Sequence, residues 1–288
     1  MLAYRHAFHA GNHADVLKHL VLMQALAHFN TKDKGWRYVD THAGAGGYSL
    51  EGDYANKRAE FRHGIGALWT REDLPPAVAA YRDFVRAFNG GGSGARLRQY
   101  PGSPAFAHHA MRPQDELHLH ELHPTEHRIL ASYLGTEHGV KTQMGDGFAA
   151  LRGALPPPTR RGLVLIDPPY ELKADYGKVL AAVREIMTRF ADGTVLVWLP
   201  QLQLLEAAQL PQRLKNAAAP AKKGWLHAQL TVALPAVPGG FGLLGSSMFV
   251  INPPHTLRPM LDQTLPWLAK ALAQFDGAAS RLDVSPGH

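Results

Sequence analysis

Asp167-Pro168-Pro169-Tyr170 brings together four residues that could grip an exocyclic amine. The Asp167 carboxylate and the Pro168 carbonyl can each accept a hydrogen bond from an NH2 group. Two consecutive prolines fix φ, and Pro169 holds Pro168 extended, so both acceptors are set before a substrate arrives. Tyr170 offers a flat face on which a base drawn out of its helix can stack. Such a set suits methyl transfer to an amino group conjugated to a ring or carbonyl. The tetrapeptide follows Leu163-Val164-Leu165-Ile166, a short run of branched apolar residues that reads as a buried parallel strand. It therefore stands at a strand's carboxyl end, where open α/β sheets bind their ligands.

Three more carboxylates occupy equivalent places. Asp40 ends a short strand and precedes Thr41-His42-Ala43-Gly44-Ala45-Gly46-Gly47; Glu121 ends the next strand; Asp146 follows a third, in Gly145-Asp146-Gly147-Phe148. A dinucleotide fingerprint would need Gly or Ala three residues after Gly46, and that position is Ser49. An acid followed by a Gly-x-Gly loop suits S-adenosylmethionine (SAM) better, with Gly44 and Gly46 passing under its methionine part. Glu121 can then bind ribose hydroxyls and Asp146 the adenine amine. Each acid alone could be a helix cap or a solvated turn. As an ordered set of four they point to a cofactor site.

The elements that must position these groups alternate. Strands are expected at 36–40, 116–121, 139–144, 162–167, 193–199, 226–234 and 246–252. Helical segments are expected at 103–112, 124–134, 146–154, 174–190 and 201–216. Alternation of this kind predicts a seven-stranded, mostly parallel sheet with helices on both faces. Only Pro235 to Gly245 separates the last two strands, so the final strand is expected to be antiparallel. Asn12 caps a first helix, with Asp15 at its third position and Val16, Leu20, Met23 and Ala27 at helical spacing up to Phe29.

Glu121 follows Asp40 by 81 residues, against about 20 in an uninterrupted fold of this type. Residues 53–100 account for the excess. They show two helical patterns, one through Ala55, Ala59, Ile65, Leu68 and Trp69 and one through Val78, Tyr81, Val85 and Phe88, then a loop at Asn89 to Gly94. The expected division is a discontinuous catalytic domain, 1–52 and 101–288, with a small helical insert at 53–100 that leaves from the cofactor loop and helps grip substrate.

Composition narrows the partners. The chain has 288 residues, 45% hydrophobic, with 17 histidines and no cysteine. Disulfides and thiolate metal sites are excluded, and the composition fits a reducing cytoplasm. No apolar stretch is long enough to span a membrane, and no signal core is visible. A formal charge of +6 and a pI near 9.5 favour an anionic partner such as nucleic acid. Basic residues gather at Arg160-Arg161, Arg213, Lys215 and Lys222-Lys223, where a solvated face or a phosphate contact would each serve. His120-Glu121-Leu122-His123 is one residue short of a zinc motif, so no metal is expected. Asn252-Pro253-Pro254-His255 imitates the amine-gripping motif, but after an antiparallel strand it would face the far edge of the sheet.

The chain resembles the bacterial 23S ribosomal RNA (adenine-N6)-methyltransferases of the J type, from Met1 to about residue 270. The resemblance rests on Tyr4-Arg5-His6, on Gly11 to His19, on Asp40 to Gly46 and on Tyr100-Pro101-Gly102-Ser103-Pro104. It continues through Glu121-Leu122-His123-Pro124, Asp146-Gly147-Phe148 and Arg160 to Tyr170. It implies transfer of methyl from SAM to N6 of one adenosine in 23S rRNA, before full ribosome assembly, by a cytoplasmic enzyme expected to be monomeric. His19, His42, Ser103, Glu121, Asp146 and Gly147 then look like SAM contacts, with Lys18 beside them. Asp167 looks like the acceptor for the amine proton, and Tyr4 and His6 like N-terminal residues that close over the base. The final 15 or so residues are expected to form a mobile tail. Rival readings are a DNA adenine methyltransferase, a protein glutamine methyltransferase (typically with Asn where Asp167 stands) and an idle RNA-binding scaffold.

Overall fold

The computed structural model describes residues 6–51, 59–92, 94–235 and 242–286. A first helix, α1 (His13–Phe29), leads into β1 (Arg37–Asp40), β2 (Gly47–Ser49) and a short helix α2 (Ile65–Leu68). There follow α3 (Pro76–Phe88), β3 (Gln99–Pro101), α4 (Ser103–Ala110), β4 (Glu116–Glu121), α5 (Pro124–Leu134), β5 (Val140–Met144) and α6 (Gly147–Ala154). The chain continues through β6 (Gly162–Ile166), α7 (Lys173–Arg189), β7 (Thr194–Gln201), α8 (Leu205–Ala217), β8 (Trp225–Thr231), β9 (Gly245–Ile251), α9 (Leu257–Ala271) and β10 (Ala279–Val284).

The main sheet runs β10-β8-β9-β7-β6-β1-β4-β5. β5, β4, β1, β6 and β7 are mutually parallel, and β9 runs antiparallel between β7 and β8, as expected. From β1 the chain moves first to β4 and β5, then returns to β6 on β1's other side. The order reverses there, which opens a crevice beyond the carboxyl ends of β1, β4 and β6. β6 is buried throughout because both faces are covered. Leu163 and Leu165 enter the core beneath α1 and α9, while Val164 and Ile166 enter the core beneath α7 and α8. Each such side chain contributes on the order of 2 kcal/mol by leaving water.

Two expectations need correction. The main sheet has eight strands, because the last residues are not a tail: Ala279 to Val284 pair antiparallel with Thr231 to Leu226. The ladder satisfies the edge of β8, a reward that apolar patterning does not reveal. The first helical pattern of the insert is also broken. Ala55 lies outside the described residues, and Ala59 sits at φ 48; among the described residues the pattern gives a 3-10 turn, Glu60–His63, and the four-residue α2. The second pattern is α3, with Val78, Tyr81 and Val85 buried. Gly47 to Ser49 pair with Pro101 to Gln99, so the segment between leaves and returns at one place beside the cofactor loop. Its buried side chains join the core of α1.

Candidate active site

The start of α1 is unusual because ionisable groups are buried among apolar ones. Asn12 caps it, its side-chain oxygen accepting from the amides of Ala14 and Asp15. Asp15, Lys18 and His19 are each 3% exposed or less, alongside Val16, Leu17, Leu20 and Val21. A helix apolar all round must be covered on every side, and charges within it must pair. Lys18 does so twice. Its ammonium lies 2.8 Å from an Asp15 oxygen and 2.6 Å from Asp167 Oδ2. Asp15 also receives the Gly11 amide at 2.8 Å and stands 2.9 Å from His6 Nε2. Burial pushes the Asp15 carboxyl up, but His6 and Lys18 more than offset it and hold it well below the usual carboxylate range. Burial likewise disfavours the Lys18 ammonium, yet Asp15 and Asp167 keep it charged. His6, Asp15, Lys18 and Asp167 thus form one chain of charge and hydrogen bonds between the N-terminal segment and the carboxyl end of β6.

Two cavities meet at this chain. The larger, about 1170 Å³ including its open mouth, is lined among others by His19, His42, Gly44, Ser103, Glu121 and Asp146. The smaller, about 580 Å³, is lined by His9, Asp15 and Trp198. His6, Lys18, Asp167 and Pro169 line both.

The loop after β1 shapes the larger cavity. Gly44 has φ +60 and Gly46 φ +80, conformations that favour glycine. A Cβ on Gly44 would meet the Tyr48 hydroxyl at 2.0 Å. Glu121 clamps the loop from β4: its carboxylate accepts from the Gly44 amide at 2.8 Å and from the His123 amide at 2.6 Å. Asp146 caps α6, accepting from the Phe148 amide at 2.9 Å, and its carboxylate faces the cavity. The His19 ring stacks on Phe106, with Nδ1 2.7 Å from the Tyr100 hydroxyl. Its buried Nε2 has no protein partner. The donor set fits SAM: two carboxylates, an unpartnered buried imidazole nitrogen and a backbone cradle in one open cleft.

Several expected site residues take other places. Tyr170 does not line either cavity. It has φ 52, is 5% exposed, packs on Tyr176 and Trp198, and donates its hydroxyl to the Trp198 carbonyl at 2.8 Å. It cannot offer a face to a base from there; it anchors the turn that presents Asp167. Pro168 is buried beside it. Lys18 reaches the larger cavity, but its ammonium is held by two carboxylates. Asp40 is fully buried, accepting from the Tyr38 and Ser103 hydroxyls at 2.7 Å and the His42 amide at 3.2 Å. It supports the cofactor loop from beneath. Gly46 and Gly147 do not line the cleft either: a Cβ on Gly46 would meet Leu130 and Tyr133 at 3.1 Å, and one on Gly147 would sit 2.1 Å from the Thr41 carbonyl. Tyr4 lies outside the described residues. The imitation motif is where the strand direction puts it: Asn252 follows β9, whose end pairs with the start of β7, and its amide binds the Ala191 and Gly193 carbonyls.

The sequence reading missed the Lys18 bridge and the Trp198 wall. Asp15, Lys18 and His19, interleaved with Val16, Leu17 and Leu20 near the start of α1, were the available signal for the bridge. Trp198 interrupts an apolar strand and carried none.

Buried neutral histidines set an expected pH response. Burial lowers His13, His42, His118 and His227 to about 4 and holds His19 well below its ordinary value. The unfolded chain binds these protons near pH 6.5, so the contribution is present above 6.5 and is lost as pH falls toward 4. Asp40 acts oppositely: burial raises it to about 6, so its protonation restores some stability on acidification. With on the order of 1–2 kcal/mol lost per histidine at pH 5 and about 1 regained at Asp40, the balance is a net loss of several kcal/mol. Urea unfolding at pH 7.5 and pH 5 measures it; equal midpoints would contradict the assignment.

A sequence model of the family described as Ribosomal RNA large subunit methyltransferase D, RlmJ, matches residues 33–284. The Ribosomal RNA large subunit methyltransferase J of Escherichia coli (strain K12) is 41% identical over 274 residues, and that of Haemophilus influenzae is 42% identical. Each alignment covers 94% of both chains. The crystal structure of a Legionella pneumophila protein superposes with a TM-score of 0.86 at 31% identity, covering 97% of this chain and 99% of that one.

Proposed function

Because the chain belongs to the ribosomal RNA large subunit methyltransferase family of that description, we propose that it methylates N6 of a specific adenosine in 23S rRNA, before full ribosome assembly. It is a SAM-dependent rRNA methyltransferase. The observation that carries the finer reading is Asp167, placed where the two cavities meet. The larger cavity would hold SAM and the smaller the target adenosine. Among the described residues no helix is long and apolar enough to cross a membrane. We place the enzyme in the cytoplasm with its substrate, acting as a monomer.

When bound, SAM supplies a methyl group activated by a sulfonium. Glu121 would accept from its ribose hydroxyls, Asp146 would bind the adenine edge, and the Gly44–Gly46 loop would pass under the methionine part, with His19, His42 and Ser103 lining the remainder. The N6 lone pair of adenine is delocalised into the ring. Lys18 occupies Asp167 Oδ2, which leaves Oδ1 to accept from the amine. That bond and one to the Pro168 carbonyl would pull the nitrogen toward sp3 and stabilise the positive charge that develops on it. Asp167 is then the nearest acceptor for the departing proton. Positioning supplies much of the remaining acceleration. His6 lines both cavities and, with Tyr4, would cover the base.

The direct test is methyl transfer from labelled SAM to unmodified 23S rRNA, with nucleoside analysis and duplex DNA in parallel. N6-methyladenosine in RNA alone is the expected result. Label in DNA alone would move the chain to the DNA rival, and label in neither would point to a protein substrate or an idle scaffold. Glu121→Ala removes a charged acceptor and frees the Gly44 amide. SAM affinity should fall by about 1.5–3 kcal/mol, roughly 10- to 100-fold. Calorimetric titration checks this; unchanged affinity would take Glu121 out of the site.

A further inference from the structure

Another cavity opens at the opposite edge of the sheet, where β6 and β7 begin. Its volume is about 630 Å³ including the mouth, and Lys32, Arg160, Arg161 and Lys223 line it with His28 and one acid, Asp192. These cations come from the turn after α1, the loop before β6 and the loop before β8. They are distant in sequence, and only folding gathers them round one hollow.

The acid is already neutralised, since Asp192 pairs with Lys222 at 2.8 Å. Arg161 is committed to structure. It donates to the Phe29 carbonyl at 2.5 Å and to the Lys34 carbonyl, and it lies over the Phe29 ring. It thereby offsets the partial negative charge at the end of α1. Lys32, Arg160 and Lys223 remain. Among the described residues no carboxylate forms an ion pair with any of them, and the Arg160 guanidinium lies 5.8 Å from the centre of the Phe190 ring. The crowding registers on a neighbour. Burial, then His255, Lys223, Lys32 and Arg161, hold the His28 imidazole below its ordinary value, and its buried Nδ1 has no partner. Arg160 is itself at φ 53, a left-handed conformation that costs a non-glycine residue energy. Three exposed cations without a carboxylate partner thus line one concave site, where a bound anion could meet all of them.

We propose that this cavity is an anion site that takes a phosphate group, held by Lys32, Arg160 and Lys223. Tetrahedral phosphate accepts from several directions at once, which suits donors brought in from separate loops. The group could be a backbone phosphate of RNA or a free phosphate. The RNA source rests on the rRNA reading above; the site itself does not. β6 connects the two regions, and its five residues span roughly 17 Å at about 3.3 Å each. An RNA that occupied both would contact the enzyme on two edges of one sheet.

The test compares wild type with a Lys32→Gln, Arg160→Gln, Lys223→Gln variant, none of whose positions belongs to the methyl-transfer site. Its phosphate arm measures the thermal midpoint in inorganic phosphate against chloride at equal ionic strength, with neither RNA nor SAM present. Stabilisation of wild type that the variant loses is the expected result, and it holds whether or not the chain methylates rRNA. Its RNA arm measures kcat and KM for 23S rRNA. A KM raised about tenfold at unchanged kcat, with a salt slope shallower by about one to three, identifies the RNA backbone as the source. An unchanged KM with lost phosphate stabilisation identifies a free phosphate. Identical responses of the two proteins in both arms would overturn the proposal.

Discussion

Asp167→Ala is expected to lower methyl transfer by about 10³-fold, the scale for removing one preorganised polar group from a transition state, while SAM affinity stays within about twofold. Asp167 lines both cavities, but the carboxylates proposed for SAM come from β4 and the loop after β5. Asp167→Asn is the sharper variant. Lys18 Nζ needs an oxygen at 2.6 Å, so the amide carbonyl must turn toward it. The amide NH2 then faces the adenine amine, donor against donor. Asp167→Asn should therefore be nearly as inactive as Asp167→Ala, although an asparagine amide is chemically able to accept elsewhere. Single-turnover transfer and calorimetric SAM titration on the same preparations separate the two effects. A variant that keeps wild-type single-turnover rate would remove Asp167 from the chemistry, and one that loses SAM would make it a cofactor residue.

Lys18→Met should be the most damaging conservative change in the molecule. It leaves Asp15, 2% exposed at its side chain, and Asp167 facing each other without the cation between them. Removing one partner of a buried pair costs roughly 3–5 kcal/mol. Asp15 would lose one of the charges that hold its carboxyl down, and Asp167 would lose the contact that orients it. The expected result is a lower melting temperature together with slower single-turnover methyl transfer by the folded enzyme. A purely structural lysine would lower stability without slowing that step. The double variant Lys18→Met, Asp167→Ala should be more stable than Lys18→Met alone, because the second uncompensated charge is gone. Additive losses would show that the pair is not coupled.

Much of this protein was legible from residue types and order. The alternation of apolar runs and helical segments determined an α/β sheet, the short last connection determined an antiparallel strand, and the resemblance determined the family. Those properties depend on local pattern and on strand direction, both of which survive translation along the chain. What the sequence could not show was which acids reach the cleft. Asp40 ends one inner strand and Asp167 follows another, yet the Tyr38 and Ser103 hydroxyls hold Asp40 beneath the loop while the buried Tyr170 holds Asp167 out. Nor could it show that Lys18 binds Asp167, 149 residues away, or that Lys32, Arg160 and Lys223 surround one hollow. Distances between residues on different elements are set by sheet order and packing. Only the folded chain, with α1 laid across the sheet and β6 returned beside β1, brings those charges within reach of one another.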